Sequence, residues 1–223
     1  NNLITFPSSE VSVPDCGVEY CYVKNGVYTE RSNIEEARMC LKLVIEHIEK
    51  YPNRSLGIIA FSEKQQSVIE DTIQKYRIKN PKYESFFTEN KEEPFFVKNL
   101  ENVQGDERDT IIFSICYGKD PRGTLRYNFG PLSRQGGERR LNVAMTRAKI
   151  NVKLVGSLLP EEIDPKRTTT DGAKFLREYI RFAIQGSKGM FVTKDISLVN
   201  KDIFVENVSH FLKDSGYIVE NYV

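Results

Sequence analysis

The sequence predicts an α/β three-layer sandwich with a mainly parallel sheet, plus a short helical C-terminal extension. Three observations carry that expectation. Short apolar runs alternate with stretches of helical periodicity, the order that right-handed βαβ crossovers require. Several runs are continuously apolar, as strands covered on both faces are. Capping residues stand at the junctions.

In chain order, the strand candidates are Val18–Val23, Leu56–Phe61, Pro94–Val97, Thr110–Cys116 and Asn151–Val155. Ile34–Lys50 is a helix with Ile34, Ala37, Leu41, Val44, Ile45 and Ile48 at helical spacing. Asn33 is its N-cap and Pro52-Asn53 its stop. Glu63–Arg77 is a second helix capped by Ser62, and Arg139–Lys149 a third. Gly118–Gly137, rich in Gly, Pro and polar residues, reads as a long loop, and loops of that length tend to be functional. Pro160–Thr170 reads as a linker and Gly172–Gln185 as an amphipathic helix. Beyond the break at Gly186–Gly189, Lys201–Asp214 is a last helix and Tyr217–Val223 the start of a strand.

At 223 residues the chain can bury a core without disulfides or metal. Its 39% hydrophobic and 28% charged residues describe a soluble globular protein. No apolar run reaches the roughly 18 residues that span a bilayer, and the first residues do not form a signal peptide. With no initiator Met, a piece of a longer protein is expected. Cys16, Cys21, Cys40, Cys116, His47 and His210 are scattered without zinc-ligand spacing, so no metal site is expected. The thiols fit a reduced, cytoplasmic location. Net charge is +1, but it is unevenly spread. Glu84 to Asp109 holds eight acids and three bases (net −5), and Gly118 to Lys153 nine bases and two acids (net +7). Such blocks are solvated faces or a phosphate-binding surface whose acids limit promiscuous binding.

The chain has no Gly-x-x-x-x-Gly-Lys-Ser/Thr phosphate loop; its Gly118-Lys119 is followed by Asp120. Nor does a strand end in paired acids that would hold magnesium, so the chain by itself should not hydrolyse a nucleoside triphosphate. Three segments could still meet a nucleotide. Gln65 follows the strand Leu56–Phe61, where an open α/β sheet binds ligands; it is a bidentate contact to a base or a solvated helix residue. In Val103-Gln104-Gly105-Asp106-Glu107-Arg108-Asp109, Gln104 and Gly105 could approach a phosphate or its attacking water, and Glu107 a ribose, unless the segment is only a charged turn. In Gly136-Gly137-Glu138-Arg139-Arg140-Leu141-Asn142-Val143-Ala144-Met145-Thr146-Arg147-Ala148, the guanidiniums either reach a γ-phosphate or sit in surface salt bridges.

These segments, in this order, resemble motifs IV, V and VI of superfamily 1B, Upf-like helicases. The resemblance covers about Leu3 to Ser157 and implies the second RecA-like (P-loop NTPase-like) domain of a two-domain motor, residues 1–157. The first domain, with the phosphate loop and magnesium ligands, would precede residue 1. Asn128-Phe129-Gly130-Pro131-Leu132 and Arg167-Thr168-Thr169-Thr170-Asp171-Gly172 are similar to large bacterial proteins in which a very-short-patch-repair-like nuclease domain follows the core. Residues 158–200 would be a linker and helix, and 201–223 the truncated start of that nuclease-like domain.

The resemblance implies ATP with Mg2+ as cofactor, bound jointly with the upstream domain, and a single strand, DNA rather than RNA, as partner. It places Gln65 near the nucleotide, Gln104 and Gly105 at the γ-phosphate or its water, Glu107 at the ribose, and Arg147 as the arginine finger. Arg140 and Asn142 match the motif as orienting residues. Where this group often has Pro-Tyr, the chain has Phe61-Ser62, leaving Phe61 as a partial substitute for a stacked aromatic. The alternatives are a RecA-like module that binds nucleic acid or a partner without turnover, and an RNA rather than a DNA helicase.

Overall fold

The computed structural model describes residues 16–88, 92–103, 105–168 and 170–185. Five strands form one sheet: β1 (Gly17–Tyr22), β2 (Leu56–Ala60), β3 (Phe96–Asn99), β4 (Arg108–Ser114) and β5 (Ala148–Gly156). Their spatial order is β1-β5-β4-β2-β3, and every neighbouring pair is parallel. The helices are α1 (Ile34–Lys50), α2 (Glu63–Lys79), α3 (Glu84–Thr88), α4 (Gly137–Met145) and α5 (Asp171–Gln185). This is the three-layer α/β/α RecA-like arrangement the sequence predicts.

Strand alternation divides the core between the two faces. Ile58, Ala60, Ile112 and Val155 pack with Ala37, Cys40, Val44, Ile69 and Ile73 of α1 and α2. Ile59, Ile111, Phe113, Val152 and Leu154 pack with Leu141 and Ala144 of α4 and with Ala173, Leu176 and Ile180 of α5. Period-2 side chains thus fill both layers, which is why the strands read as continuously apolar.

Two expectations change in detail. The motif VI helix starts at Gly137 and ends at Met145, so Arg147 stands in the turn before β5 and not on a helix. Thr146 Oγ1 donates to the Val143 carbonyl, and the Arg108 amide donates to the Arg147 carbonyl. The sheet therefore captures the chain before the helix can continue. The second difference concerns α5. It lies within the segment read as linker and helix, yet it covers one face of the sheet. The expected helix and strand beyond Lys201 lie outside the described residues.

Two glycines let α5 approach. A Cβ on Gly172 would stand 2.4 Å from the Leu132 carbonyl oxygen, and one on Gly137 2.5 Å from the same atom. Helix propensity alone would make Gly172→Ala stabilising by up to about 1 kcal/mol, whereas overpacking costs about 1–3 kcal/mol. We expect Gly172→Ala to lower Tm, by up to roughly 12 °C for a chain of this size. A raised Tm in a thermal melt would contradict the close packing.

Candidate functional site

The sequence-predicted residues fall at opposite ends of the sheet. At the amino end, β4 and β5 pair from Arg108↔Ala148, which brings the residues preceding each strand together. Arg147 Nη1 lies 3.5 Å from Glu107 Oε1. Its Nε donates to the Val143 carbonyl at 3.0 Å and Nη2 to Thr146 Oγ1 at 3.2 Å. The guanidinium thus sits on the Val143 carbonyl in the last turn of α4, where a cation is electrostatically favoured. Gly105 is exposed in the left-handed region (φ 87°), with nothing within 4 Å of where a Cβ would stand. Its backbone can be approached closely by a ligand. Gln104 lies outside the described residues.

Neighbouring motif V residues anchor this end. Arg108 is buried, donates to the Pro94 carbonyl through Nε and Nη2 at 2.9 and 2.7 Å, and stacks over Phe96. Asp109 accepts from the Ser55 amide at 2.9 Å, and its own amide donates to Ser55 Oγ at 2.8 Å. Arg140 donates to the Gln135 carbonyl at 3.3 Å, which ties α4 to the loop before it.

Gln65 belongs to the carboxyl end. Arg108 to Ser114 spans six residue steps of β4, roughly 20 Å, and Gln65 contacts Ser114 at the far end. Its side chain is 0% exposed. Oε1 accepts from the Asn33 amide at 2.7 Å, and Nε2 donates to the Asn33 carbonyl at 3.1 Å and to Ser114 Oγ at 2.9 Å. The amide is thus not solvated, and Asn33 and Ser114 take up its oxygen and nitrogen in this structure. Phe61 is likewise a core residue, packed edge-on against Phe113 at 6.2 Å between centroids. Ser62 instead caps α2 and donates to the Arg31 carbonyl at 2.9 Å.

Below Gln65 lies a cluster that sequence reasoning missed. Glu36, in the first turn of α1, is wholly buried, and no lysine or arginine pairs with it among the described residues. Ser157 Oγ donates to Oε1 at 2.8 Å, and Asn33 Nδ2 at 3.2 Å. Ser114 Oγ and the Cys116 amide donate to Oε2 at 2.9 and 2.7 Å. Asn33 Nδ2 also donates to Ser157 Oγ at 2.8 Å. The donors converge on the carboxylate as an ionised group demands, but burial dominates and raises its pKa from 4.5 to about 7. The sequence signal was Asn33 and Glu36 at capping-box spacing, which gives no hint that the acid is buried.

Over this cluster opens a cleft of about 1450 Å³. Arg31, Lys64, Arg122, Arg126 and Arg134 line it together with the acids Glu30, Glu63, Glu101 and Asp120, and Tyr28, Tyr117 and Tyr127 stand between them. Arg134 faces Glu101 at 3.5 Å. Arg31, Lys64, Arg122 and Arg126 make no ion pair among the described residues. Asp120, another lining residue, accepts from the Arg122 and Thr124 amides at 2.9 Å, which holds its pKa below the usual carboxylate range. Among the described residues no cluster of His, Cys, Asp or Glu could hold a metal ion, and no helix is long and apolar enough to cross a membrane.

Fold and site together describe a RecA-like domain with two distinct ends: a pair of opposite charges beside an open glycine, and a cleft lined by both basic and acidic side chains. The chain belongs to the AAA domain family, whose model matches residues 7–159. It is similar to an uncharacterized ATP-dependent helicase, MG140, of Mycoplasma genitalium, 37% identical over 72% of this chain and 14% of that protein. Its Mycoplasma pneumoniae homolog is 35% identical over the same shares. Helicase sen1 of Schizosaccharomyces pombe is 29% identical over 56% of the chain and 7% of its own length. The chain thus spans a small part of each of these relatives.

Glu36 gives a pH-dependent stability of known sign. Its folded pKa lies above its unfolded one, so the stability it contributes is complete below pH 4.5 and lost as pH rises through about 7. The difference is on the order of 3 kcal/mol. We expect the stability difference between the natural chain and Glu36→Gln to shift across that window and level off on either side. Urea unfolding at a series of pH values measures it, and a pH-independent difference would show that Glu36 does not titrate there.

Proposed function

We propose that this chain is the C-terminal motor half of an ATP-dependent superfamily 1 DNA helicase or translocase of the Upf-like group. The single observation that carries the reading is the juxtaposition of Arg147, Glu107 and exposed Gly105 at one end of the sheet. The helicase names of its relatives support it, as do the cleft cations Arg31, Lys64, Arg122 and Arg126 at the other end.

ATP, bound with Mg2+ between this domain and an upstream RecA-like domain, supplies the phosphoryl group whose transfer to water drives the motor. The residues here fit half of such a site: an unobstructed glycine backbone, an acceptor for ribose hydroxyls in Glu107, and a guanidinium. The magnesium ligands would come from the upstream domain. Gly105, with Gln104, would stand against the γ-phosphate side. Arg147 would release the Val143 carbonyl and Glu107 and turn outward, offering its planar fork to charge that develops as the phosphoryl group departs. A single strand, DNA in preference to RNA, would lie in the cleft, its phosphates on Arg31, Lys64, Arg122 and Arg126 and its bases against the tyrosines. Residues 201–223 would begin a nuclease-like domain.

A second reading, a binding module without turnover, draws on the same contacts, since an arginine that caps its own helix and pairs with a neighbour can be purely structural. Arg147→Ala in the full-length protein separates the two. The motor reading expects ATP affinity within about tenfold of normal and turnover lower by something like 10³-fold. Arg147→Lys should rescue little. A lower Tm with near-normal turnover would remove the finger assignment.

The cleft makes its own prediction for the 223-residue chain. Binding of single-stranded DNA should weaken steeply with salt, and Arg31→Ala or Arg126→Ala should each reduce the slope of log K against log salt by about 1. Anisotropy titrations at several salt concentrations test it, and slopes unchanged in both variants would exclude the cleft as the phosphate track.

A further inference from the structure

The cleft's rim is built on backbone that ordinary residues avoid. Glu30 and Arg31 both adopt the left-handed region (φ 49° and 62°). The Thr29 amide donates to the Ser32 carbonyl at 3.0 Å and the Ser32 amide to the Thr29 carbonyl at 2.9 Å. Two left-handed residues between reciprocally bonded neighbours make a type I′ turn, where Asn and Gly are favoured. Beside Ser62, Cys116 has φ 57°, and the Tyr117 amide donates to the Ile115 carbonyl at 2.7 Å. That i to i+2 bond around a positive φ is the strained form of γ-turn. Each such residue costs on the order of 1–3 kcal/mol and persists only where its surroundings overdetermine it.

One hydrogen-bonded set connects the two turns. Gln65 grips the Asn33 amide and carbonyl, two residues after Arg31. From Gln65 the set continues through Ser114 Oγ to Glu36 Oε2, which accepts the amide of Cys116. Ser62, the cap of the helix that carries Gln65, holds the Arg31 carbonyl. Gln65 therefore pairs with the Asn33 backbone as a strand would, just below the turn that presents Arg31.

We propose that Gln65 is a positioning residue for the nucleic-acid cleft, clasping Asn33 so that the strained Glu30–Arg31 turn holds the Arg31 guanidinium toward a phosphate. The inference rests on the cleft being the phosphate track, and it replaces direct nucleotide contact as the role of this glutamine. Helix α2 is thereby coupled to the cleft, because any shift of its first turn moves the clasp.

The test uses the 223-residue chain and a labelled oligothymidine. Gln65→Met keeps volume and removes the clasp. It should weaken binding about tenfold and lower the salt slope by about 1, as Arg31→Ala does. Ile73→Ala, a core truncation in the same helix, should match its loss of Tm yet leave the slope unchanged. Glu30→Gly lets the turn form without strain, so the loss caused by Gln65→Met should shrink to about threefold in that background. Ser62→Ala, which leaves Gln65 in place, should show a smaller loss with the same slope change should Gln65→Met fail to fold. If Gln65→Met or Ser62→Ala behaves as Ile73→Ala does, or if Glu30→Gly does not reduce the loss, the clasp is only structural. If Arg31→Ala also leaves the slope unchanged, the cleft itself is not the track and the proposal falls with it.

Discussion

The domain is organised around a carboxylate that is buried and meets no cation among the described residues. Glu36 joins the first turn of α1 to the carboxyl ends of β4 and β5, and through Ser114 and Asn33 it reaches Gln65 in α2. An apolar side chain at its position would strand several inward-pointing donors, each costing about 1–3 kcal/mol. The partners are useful only together, so three elements are fixed by one acceptor. Gly26 shows how tightly this cluster is covered, because a Cβ there would stand 1.9 Å from Ser157 Oγ and 2.8 Å from Asn33 Nδ2. The loop from β1 to α1 passes directly over the cluster, and the strained turn that carries Arg31 is part of that loop.

A parallel sheet gives the domain two chemically distinct ends. At the carboxyl ends of the strands, the chain turns out into loops that line the large cleft. At the amino ends, the residues just before β4 and β5 come together because the strands pair from Arg108 and Ala148 onward. Motif V and motif VI thus meet by strand register, and Glu107 finds Arg147 although the two are forty residues apart. Arg108 and Asp109 serve this end differently: their side chains tie the strand starts to Pro94 and Ser55, which holds the loop bearing Glu107.

The helix α5 belongs to the same sandwich. Ala173, Leu176 and Ile180 close one face of the sheet, and Gly137 and Gly172 both approach the Leu132 carbonyl. A single backbone atom thereby sets the spacing of α4, α5 and the turn at Gly130–Ser133.

The layer order, the parallel sheet and the pairing of α1 and α2 with their caps were legible in the residues, because apolar periodicity and capping chemistry are local. Motifs V and VI were legible as motifs for the same reason. Tertiary structure decided the rest. Nothing local distinguishes a buried Gln65 from a solvated one, since its environment is supplied by Asn33 and Ser114 from distant parts of the chain. Glu36 reads as an ordinary first-turn acid until β4 and β5 place donors around it. Arg147 reads as helical by spacing, and only the pairing of β5 with β4 pulls it into a turn beside Glu107. Patterns along a chain determine which face a side chain takes, whereas the partners it meets depend on which strands become neighbours, and that is settled when the sheet assembles.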